Sequence, residues 1–411
     1  MTSDRVEVVT MRDQSPLRAE TWPMFRTCPF SPPPDYAGLR EHPGLPRVTG
    51  PSGRTVFVAA RHEDVRAVLG DARFSSDRSH PDFPWMRVGE TVYPGFRPSL
   101  IGMDPPEHGP ARRAVAGEFT IGRMRELRPK VQCIVDGLLD DVLAGPKPAD
   151  LVSALAVPMS GLVLCELLGI PTGDRQEFTT NTMVLMAHDS ADADRAESFR
   201  SLIAYFDALC ATKMTERPED LLGRLAGHQL FSGDEGRWAM VELCILLVAA
   251  GLETTATMTA LGVLALLEHP DQLALLTADP GLTPAAVEEL LRFFSVVELS
   301  LMRRATADVE IAGTPIRAGE GVAALSAAAN HDPAAFADPD TFDVTRDNRR
   351  HLAFGSGPHQ CLGKNLARME LRIALDTLFR RIPTLRLATP RDELHFVNGS
   401  AFSVMALPVT W

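Results

Sequence analysis

The sequence predicts a mainly α-helical protein with small β-sheets. Apolar residues recur at the spacing of one helix face over most of the chain, and proline or glycine marks many ends of these stretches. Strand signals are short and occur in a few places. With 411 residues, of which 45% are hydrophobic and 23% charged, the chain is large enough to bury a core and to enclose a ligand in it.

The predicted elements follow one another without a visible domain boundary. After a proline-rich start, LPRVTGPSGRTVFVAA predicts two strands joined by a turn that contains glycine. Helices are expected near residues 61–70, 108–145, 150–168, 174–187, 195–214, 218–227, 235–268, 283–294 and 362–380. Further strands are expected near 307–317 and 320–325 and in the last thirty residues. Because no linker or repeat interrupts this order, we expect one domain over residues 1–411, with 1–20 as a flexible N-terminal segment.

Charge, apolar runs and cysteines narrow the classes of function. The formal net charge of −12 argues against general nucleic-acid binding. The N-terminus has no apolar leader, and the longest apolar run, CILLVAAGL, has nine residues, too few to span a membrane. The six cysteines are scattered without a C-x-x-C pair, as in proteins that keep reduced thiols. The sequence therefore predicts a soluble cytoplasmic protein with neither a membrane nor a nucleic acid as partner.

One cysteine, Cys361, lies in a stretch of unusual composition, HLAFGSGPHQCLGKNLARMEL. Loops dense in glycine and proline adopt φ > 0 conformations or let a flat ligand approach the backbone. Leu362, Leu366 and Met369 follow at helical spacing, which places Cys361 at a helix N-terminus, where unpaired N–H groups favour the thiolate. Such a thiolate is a nucleophile or a metal ligand, whereas a solitary cysteine is otherwise a small buried apolar residue.

The order of Phe354, Gly357, Cys361 and Gly363, F-x-x-G-x-x-x-C-x-G, resembles the haem-binding loop of the cytochrome P450 superfamily. The resemblance covers about residues 20–411 and is greatest with the soluble bacterial class I enzymes that oxidise polyketides, macrolides and drug-like molecules. It implies the P450 fold, haem b between the oxygen-binding helix and the cysteine-loop helix, and Cys361 as axial iron ligand. Further haem contacts implied by family position are Ala250, Thr254, Phe354, Gly355, Gly363 and Ala367.

The helical pattern at 235–268 contains polar residues in its middle, AAGLETTATMTAL. Glycine weakens a helix interior by about 1 kcal/mol and threonine can bond to an earlier carbonyl, so a local widening is expected. These residues alone fit a kinked core helix equally well. The motif A-G-x-E-T-T, however, resembles the family's oxygen-binding helix. That resemblance implies catalytic roles for Thr254, which steadies the bound oxygen by hydrogen bonding, and for Glu253, which brings in protons through water.

Four cationic positions match the family's partners for the two haem propionates. Those carboxylates need cations or donors, because an unpaired buried carboxylate is costly. His108 and Arg112 are four apart in MDPPEHGPARR, Arg303 is the first arginine of LMRRATADVEI, and His359 lies two residues before the cysteine. Each alone fits a surface cation; the resemblance implies that they bind the propionates together.

A further pattern, TPAAVEELLRFF, places Glu289 and Arg292 on one helix face. On its own it predicts a surface ion pair of little energetic value. It precedes FADPDTFDVTR and the cysteine loop in the family's order. The resemblance therefore implies that Glu289, Arg292 and Arg346 form a structural triad under the haem loop.

Two segments are expected to bound a substrate pocket. RSHPDFPWMRVGETVYPGFRPSL mixes aromatic residues with glycine and proline as in a mobile lid, and FTTNTMVLMAHDSADAD supplies methionines for an adaptable apolar wall. Packing as ordinary core is the alternative for the aromatic residues. From these segments and from family position, the candidate substrate contacts are Phe83, Trp85, Thr180, Met183, Ala249, Val297, Leu299, Ala401 and Phe402.

The resemblance implies a monooxygenase that inserts one atom of O₂ into a C–H bond of a hydrophobic small molecule, using electrons from NAD(P)H through a reductase and a ferredoxin. The alternatives are a peroxide-driven peroxygenase, a class that typically lacks the acid–alcohol pair, and a non-catalytic haem sensor, which has no need of that pair. We expect a monomer. A cationic patch on the face nearest the iron is expected to dock the ferredoxin, and it comprises Arg113, Arg349, Lys364 and Arg368.

Overall fold

The computed structural model describes residues 8–9, 24–86, 99–186, 192–297, 301–398 and 401–411. Most of these residues are helical, and the predicted mainly α architecture is confirmed. The α-helices are α1 (Asp35–Glu41), α2 (His62–Gly70), α3 (His108–Ala116), α4 (Ile121–Ala144), α5 (Val157–Leu168), α6 (Arg175–Met186), α7 (Asp192–Glu216), α8 (Leu221–Leu225), α9 (Gly233–Glu268), α10 (Pro270–Ala278), α11 (Thr283–Phe294), α12 (Ser326–Asn330) and α13 (Lys364–Arg381).

Small sheets accompany the helices. The strands are β1 (Val8–Val9), β2 (Arg47–Thr49), β3 (Thr55–Ala59), β4 (Phe74–Ser75), β5 (Ala149–Asp150), β6 (Met302–Ala305), β7 (Val309–Ile311), β8 (Thr314–Ile316), β9 (Gly321–Ala324), β10 (Arg386–Leu387), β11 (Phe396–Asn398), β12 (Phe402–Val404) and β13 (Pro408–Thr410). The largest sheet has the order β2-β3-β9-β6-β4, and its β3–β9 pair is parallel. The other sheets are β1-β11-β12, β10-β13-β5 and the hairpin β7-β8.

Strand β1 belongs to the N-terminal segment. Val8 pairs with Val397 and Val9 with Phe396, both of β11, in antiparallel register. The rest of segment 1–20 lies outside the described ranges, so its expected flexibility stays a prediction.

Helix α9 is the axis of the helical body, where it packs against α5, α7 and α13. Two glycines allow close approach of its neighbours. A Cβ at Gly251 would meet the side chain of Leu164 in α5 at 3.3 Å, and one at Gly262 would meet Leu290 in α11 at 3.2 Å. This close packing offsets the cost of glycine inside a helix, about 1 kcal/mol each.

Of the helices in the described ranges, α9 alone is long and apolar enough to cross a membrane by length and composition. It lies inside the protein, among α5, α7 and α13. A helix covered by neighbours on several sides is apolar all round. The apolar composition of α9 thus follows from its burial.

Two predicted helices differ from the structure. The pattern at 108–145 is interrupted after α3, because Thr120 adopts an extended backbone and its side chain caps α4 by accepting from the N–H of Arg123. The pattern at 150–168 opens with a π-helical turn, Val152–Ala156, before α5 begins. Helices α1, α10 and α12 escaped prediction because segments of five to nine residues show little periodicity.

Glu289 and Arg292 of α11 are fully buried, so they are not a surface pair. Arg292 Nε donates to Glu289 Oε2 at 2.7 Å, and its Nη2 donates to Oε1 at 2.9 Å. The same carboxylate accepts from Arg346 Nε at 3.3 Å, from the N–H of Asp343 at 3.0 Å and from Asn348 Nδ2. These bonds satisfy the buried carboxylate and fix the segment that leads into the cysteine loop. No sequence pattern pointed to Asn348 as a partner of the Glu289 carboxylate.

A second buried carboxyl, that of Glu370 in α13, lacks such partners. Burial raises its pKa well above the usual range, and its Oε2 has no hydrogen-bond partner among the described residues. The carboxyl therefore stays protonated in the fold at pH values at which the unfolded chain, with a pKa of about 4.3, already ionises it. The folded state binds one proton more, so this residue makes stability fall as pH rises.

We expect Glu370→Gln to gain stability relative to the parent as pH rises above the unfolded pKa of about 4.3, by up to about 1.4 kcal/mol per pH unit until the folded carboxyl ionises, because the amide keeps the shape without the proton. Urea unfolding at several pH values measures the difference. Glu393→Gln, at an exposed position, is the control and should show no such slope. A difference between Glu370→Gln and the parent that does not change with pH would contradict the expectation.

Candidate active site

The loop around Cys361 is closed by a backbone bond and shaped by glycine. The N–H of Cys361 donates to the carbonyl of Phe354 at 2.8 Å. Gly355 and Gly357 have φ values of +67° and +71°, which side chains other than glycine rarely adopt. A Cβ at Gly357 would also lie 2.3 Å from the carbonyl oxygen of Leu69 in α2. The loop therefore needs glycine to pack against the end of α2.

The Cys361 thiol has accessible surface, yet burial raises its pKa. Both properties hold for a side chain on the wall of an enclosed cavity. The N–H of Gly363 and the charge of Arg112 act the other way and favour the thiolate. Helix α13 begins only at Lys364, so the prediction that a helix terminus makes Cys361 a thiolate is wrong. Metal coordination deprotonates a thiol outright, so Cys361 suits a ligand better than a free nucleophile.

The predicted propionate partners come together beside this loop. The rings of His108 and His359 stack with centroids 4.1 Å apart. Arg112 Nη2 donates to the carbonyl of Gln360, and Arg303 of β6 is 6% exposed. Burial, followed by the charges of His108, Arg303 and Arg112, lowers the pKa of His359 to about 3. The four side chains thus lie together in one cluster, two of them arginines and two of them imidazoles whose pKa values are lowered toward the neutral form.

Arg78 and Asp104 belong to the same cluster and were missed by sequence reasoning. Burial lowers the pKa of Arg303 to about 10; the charge of Arg78 adds to this effect and that of Asp104 opposes it. Asp104 accepts from the N–H of Ser76 at 2.8 Å, which ties the segment before α3 to the end of β4. No spacing rule singles out either residue, because their proximity arises only from the fold.

This cluster fits the two carboxylates of haem. His108 Nε2 is buried and has no hydrogen-bond partner within the described ranges. Arg303 Nη1 donates to the carbonyl of its own neighbour, Met302, at 2.8 Å. The two arginines supply positive charge and the two imidazoles supply N–H donors, which is the set that a pair of carboxylates needs when it leaves water. When bound, haem supplies the redox chemistry, and the residues that would hold its propionates are His108, Arg112, Arg303 and His359.

Ala249 and Ala250 are exposed in the middle of α9, although most residues on both sides of them are buried. An exposed pair of alanines within a core helix marks the wall of an internal cavity. One turn later, Thr254 Oγ1 donates to the carbonyl of Ala250 at 2.7 Å, and Glu253 is partly exposed. The helix is regular through this segment, so the predicted widening is not seen.

Three candidate substrate contacts belong to the core. Phe83, Ala401 and Phe402 are 1–2% exposed. The ring of Phe402 stacks on that of Phe396, with centroids 5.6 Å apart. Side chains packed in this way have no surface left for a substrate, so the packing alternative holds for these three.

The remaining candidates keep accessible surface where the structure describes them. Thr180 and Met183 of α6 are exposed, and Trp85 and Val297 are partly exposed. Leu299 lies outside the described residues. Together with Ala249, the residues of α6 are the candidates best placed to contact a substrate.

Among the predicted docking cations, Arg368 differs from the expectation. Its Nε and Nη2 each donate to one oxygen of Glu288, both at 2.7 Å, and its guanidinium carbon lies 4.7 Å from the centroid of the Phe354 ring. These neighbours hold Arg368, so it is not available to a partner protein. The other three cations keep accessible surface: Arg113, Arg349 and Lys364.

Comparison with known proteins decides the family. Cytochrome P450 105A3 from Streptomyces carbophilus is 46% identical over 96% of both chains. The chain belongs to the cytochrome P450 family. The family model "Cytochrome P450" matches residues 280–401 of this P450, the region from α11 through the cysteine loop. Pentalenic acid synthase from Streptomyces avermitilis is 47% identical over 95% of this chain and 97% of its own.

Solved P450 structures agree with the fold. The crystal structure of cytochrome P450 MoxA from Nonomuraea recticatena has a TM-score of 0.89 and 46% identity, covering 96% of this chain and 99% of its own. MycCI from Micromonospora griseorubida, solved with mycinamicin VIII bound, has a TM-score of 0.88 at 39% identity, covering 95% of this chain and 100% of its own. This P450 therefore has the family's fold and carries haem b.

We expect the reduced carbonyl complex of this P450 to show the red-shifted Soret band of thiolate ligation, and Cys361→Ala to lose it, because the sulfur lies in the loop shaped for ligation. Absorption spectra before and after addition of carbon monoxide measure it. Cys133→Ala removes an exposed thiol on α4 and should keep the band. A thiolate spectrum in Cys361→Ala would disprove the assignment.

Proposed function

We propose that this P450 inserts one atom of O₂ into a C–H bond of a medium-to-large hydrophobic molecule, with electrons delivered from NAD(P)H by a reductase and a ferredoxin. The observation that carries the proposal is the exposed pair Ala249–Ala250 in α9, followed one turn later by Glu253 and Thr254. An acid and a hydroxyl beside a cavity suit a reaction that consumes protons. Monooxygenase chemistry is that of the family, whose members include a 20-oxo-5-O-mycaminosyltylactone 23-monooxygenase.

In this proposal the chain controls protons and water around the haem. Reduction of O₂ with insertion of one atom into substrate releases the other atom as water, so each turnover takes up two protons and two electrons. Thr254 donates its hydroxyl hydrogen to the carbonyl of Ala250, which fixes Oγ1 as an acceptor for a proton-carrying water at the cavity edge. Glu253 is the acid that passes protons inward. The buried apolar residues of α9 on either side exclude bulk water, which limits competing release of peroxide.

The proposed substrates are polyketides, macrolides, terpenoids or drug-like molecules. Support comes from relatives named for such chemistry: the Mycinamicin VIII C21 methyl hydroxylase of Micromonospora griseorubida is 40% identical over 95% of this chain. The exposed Thr180 and Met183 of α6 supply polar and adaptable apolar surface. Substrate-induced spin-state shifts of the haem, read across a panel of such molecules, identify the class.

We also infer a single domain that acts as a cytoplasmic monomer. Relatives match this chain over 95% or more of both lengths, which supports one unit over residues 1–411. Scattered cysteines without disulfides among the described residues are compatible with a reducing compartment. Sedimentation of the haem-loaded protein tests the oligomeric state.

A peroxygenase on the same fold is the rival activity. The presence of Glu253 and Thr254 favours O₂ over peroxide as the oxidant. O₂ must receive two electrons and two protons during turnover, and an acid and a hydroxyl serve proton delivery, whereas peroxide already carries these electrons and protons. Turnover with NAD(P)H, a surrogate ferredoxin and a reductase, compared with turnover on peroxide alone, separates the two. Turnover with peroxide but none with NAD(P)H and the redox proteins would replace the proposal with a peroxygenase. Absence of turnover in both assays would favour a haem sensor.

We expect Thr254→Ala to keep haem and substrate binding but to divert most reducing equivalents from product to hydrogen peroxide, because one positioned proton-transfer group contributes about 10²-fold or more to its step. The ratio of product and peroxide formed to NAD(P)H consumed measures this. Thr259→Ala is the matched control, because Thr259 Oγ1 makes the same bond to an earlier carbonyl, at 2.9 Å, but is buried. Equal coupling in both variants would refute the role of Thr254.

The proposed ferredoxin site is the cationic patch near the cysteine loop, reduced to Arg113, Arg349 and Lys364. Arg368 is excluded because Glu288 neutralises it. Arg349 is 90% exposed and has Asp347 as a neighbour at 3.5 Å. On a body of net charge −12, a local positive patch directs an acidic partner to one face.

Reversal of charge at Arg113 and Lys364 together should slow ferredoxin-supported turnover about tenfold at low ionic strength, with a smaller effect at high salt, because steering is screened. Peroxide-driven turnover and substrate affinity should not change. The control reverses Arg200 and Arg386, which are exposed on α7 and β10. Equal rates and salt dependence in parent and Arg113/Lys364 variant would rule out the patch.

A further inference from the structure

Glu288, beside the buried Glu289 in α11, contacts both ends of the cysteine loop. Downstream, its two oxygens accept from Arg368 Nε and Nη2 of α13, each at 2.7 Å. Upstream, its Oε2 lies 3.1 Å from His351 Nε2. The carboxylate and His351 are largely buried, with 15% and 2% of their side chains exposed. One side chain thus bridges the start of the loop and the helix that follows it.

Arg368 carries this contact to the loop itself. Its guanidinium carbon lies 4.7 Å from the centroid of the Phe354 ring, which is the distance of a cation–π contact. The carbonyl of Phe354 accepts from the N–H of Cys361 at 2.8 Å. His351 also lies against Phe354, with ring centroids 5.8 Å apart. Phe354 is therefore held between two side chains that both contact Glu288.

Glu288 keeps its negative charge, so its contact with the Arg368 guanidinium is permanent. Burial alone would raise the pKa of Glu288, but the bonds from His351 and Arg368 lower it to about 2, so the carboxylate is ionised throughout the physiological range. A bidentate bond from a planar guanidinium fixes orientation as well as distance. Arg368 also acts on Cys361 directly, since its charge favours the thiolate.

We propose that Glu288 is a positioning residue for the axial cysteine: it holds Arg368 against Phe354 and thereby sets the orientation and the local field of the Cys361 loop. The proposal rests on the proposed role of Cys361 as iron ligand. Residues that contact a metal ligand but not the metal orient that ligand and thereby change the affinity and the reduction potential of the metal. Glu288 acts through the side chains that its carboxylate contacts, which are Arg368, His351 and, with its Nη2 at 3.8 Å from Oε1, Arg372.

The test measures the reduction potential of the haem iron in the parent, Glu288→Gln, Arg368→Gln and the double variant, each loaded with haem. A positive charge near the sulfur stabilises the reduced form, so Arg368→Gln should shift the potential to a more negative value. Glu288→Gln removes a negative charge, which by itself shifts the potential to a more positive value, and it releases Arg368 from the Phe354 ring, which shifts the potential to a more negative value. We therefore expect the shift caused by Glu288→Gln to be more negative in the parent than in the Arg368→Gln background, where only the loss of the Glu288 charge remains.

Each other outcome overturns the proposal. The same shift from Glu288→Gln in the parent and in the Arg368→Gln background would mean that Glu288 acts only through its own charge and independently of Arg368. A lower unfolding midpoint without a change in potential would mean a purely structural role. Glu310→Gln, an exposed carboxylate on β7, should leave the potential unchanged. If the parent lacks the thiolate Soret band, the assignment of Cys361 as iron ligand is wrong as well. If the parent shows that band, any of the contrary outcomes above disproves only the role of Glu288.

Discussion

The buried ion pair of Glu289 and Arg292 is the interaction on which the cysteine loop depends. Arg292 uses its remaining donors on carbonyl groups, among them those of Asn330 at 2.8 Å and Pro339 at 2.7 Å. One guanidinium therefore joins α11, the end of α12 and the segment that leads into the loop. Burial of both charges is tolerable because each has a full set of partners, and removal of one partner would cost about 3–5 kcal/mol. An exposed pair at the same spacing would contribute less than about 1 kcal/mol.

The two successive acids of α11 divide the support of the loop between them. Glu289 binds Arg346 and Asn348, and so fixes the chain before the loop begins. Glu288 binds Arg368, seven residues beyond Cys361, and so fixes the helix after the loop ends. Neighbouring helix positions differ by about 100° in direction, which is why adjacent residues reach different partners. A short stretch of one helix thus determines where both flanks of the cysteine lie.

Sequence patterns predicted what depends on local order and missed what depends on burial. The spacing of apolar residues predicted α9 and α11, and the glycines of the cysteine loop predicted its φ > 0 positions, because these are properties of neighbouring residues. Whether Phe402 faces a substrate or the core depends on Phe396 and on the strands that bring them together. The engagement of Arg368 by Glu288, 80 positions away, is likewise invisible to spacing. Resemblance placed the propionate cations, but not Arg78, which only the fold brings beside Arg303.

The distribution of charge links folding to the haem. The chain carries a net charge of −12, yet it places Arg303, buried in β6, beside Arg78, His108 and His359. Burial and neighbouring positive charges lower the pKa of Arg303 to about 10 and that of His359 to about 3, so removing these side chains from water opposes folding. A dianionic group bound there would pair with the arginine charge and accept from imidazole N–H groups in the folded state but not in the unfolded chain. By mass action, such a ligand stabilises the fold by an amount that grows with its affinity. In the proposed propionate site, the same residues would therefore couple possession of the cofactor to retention of the native structure.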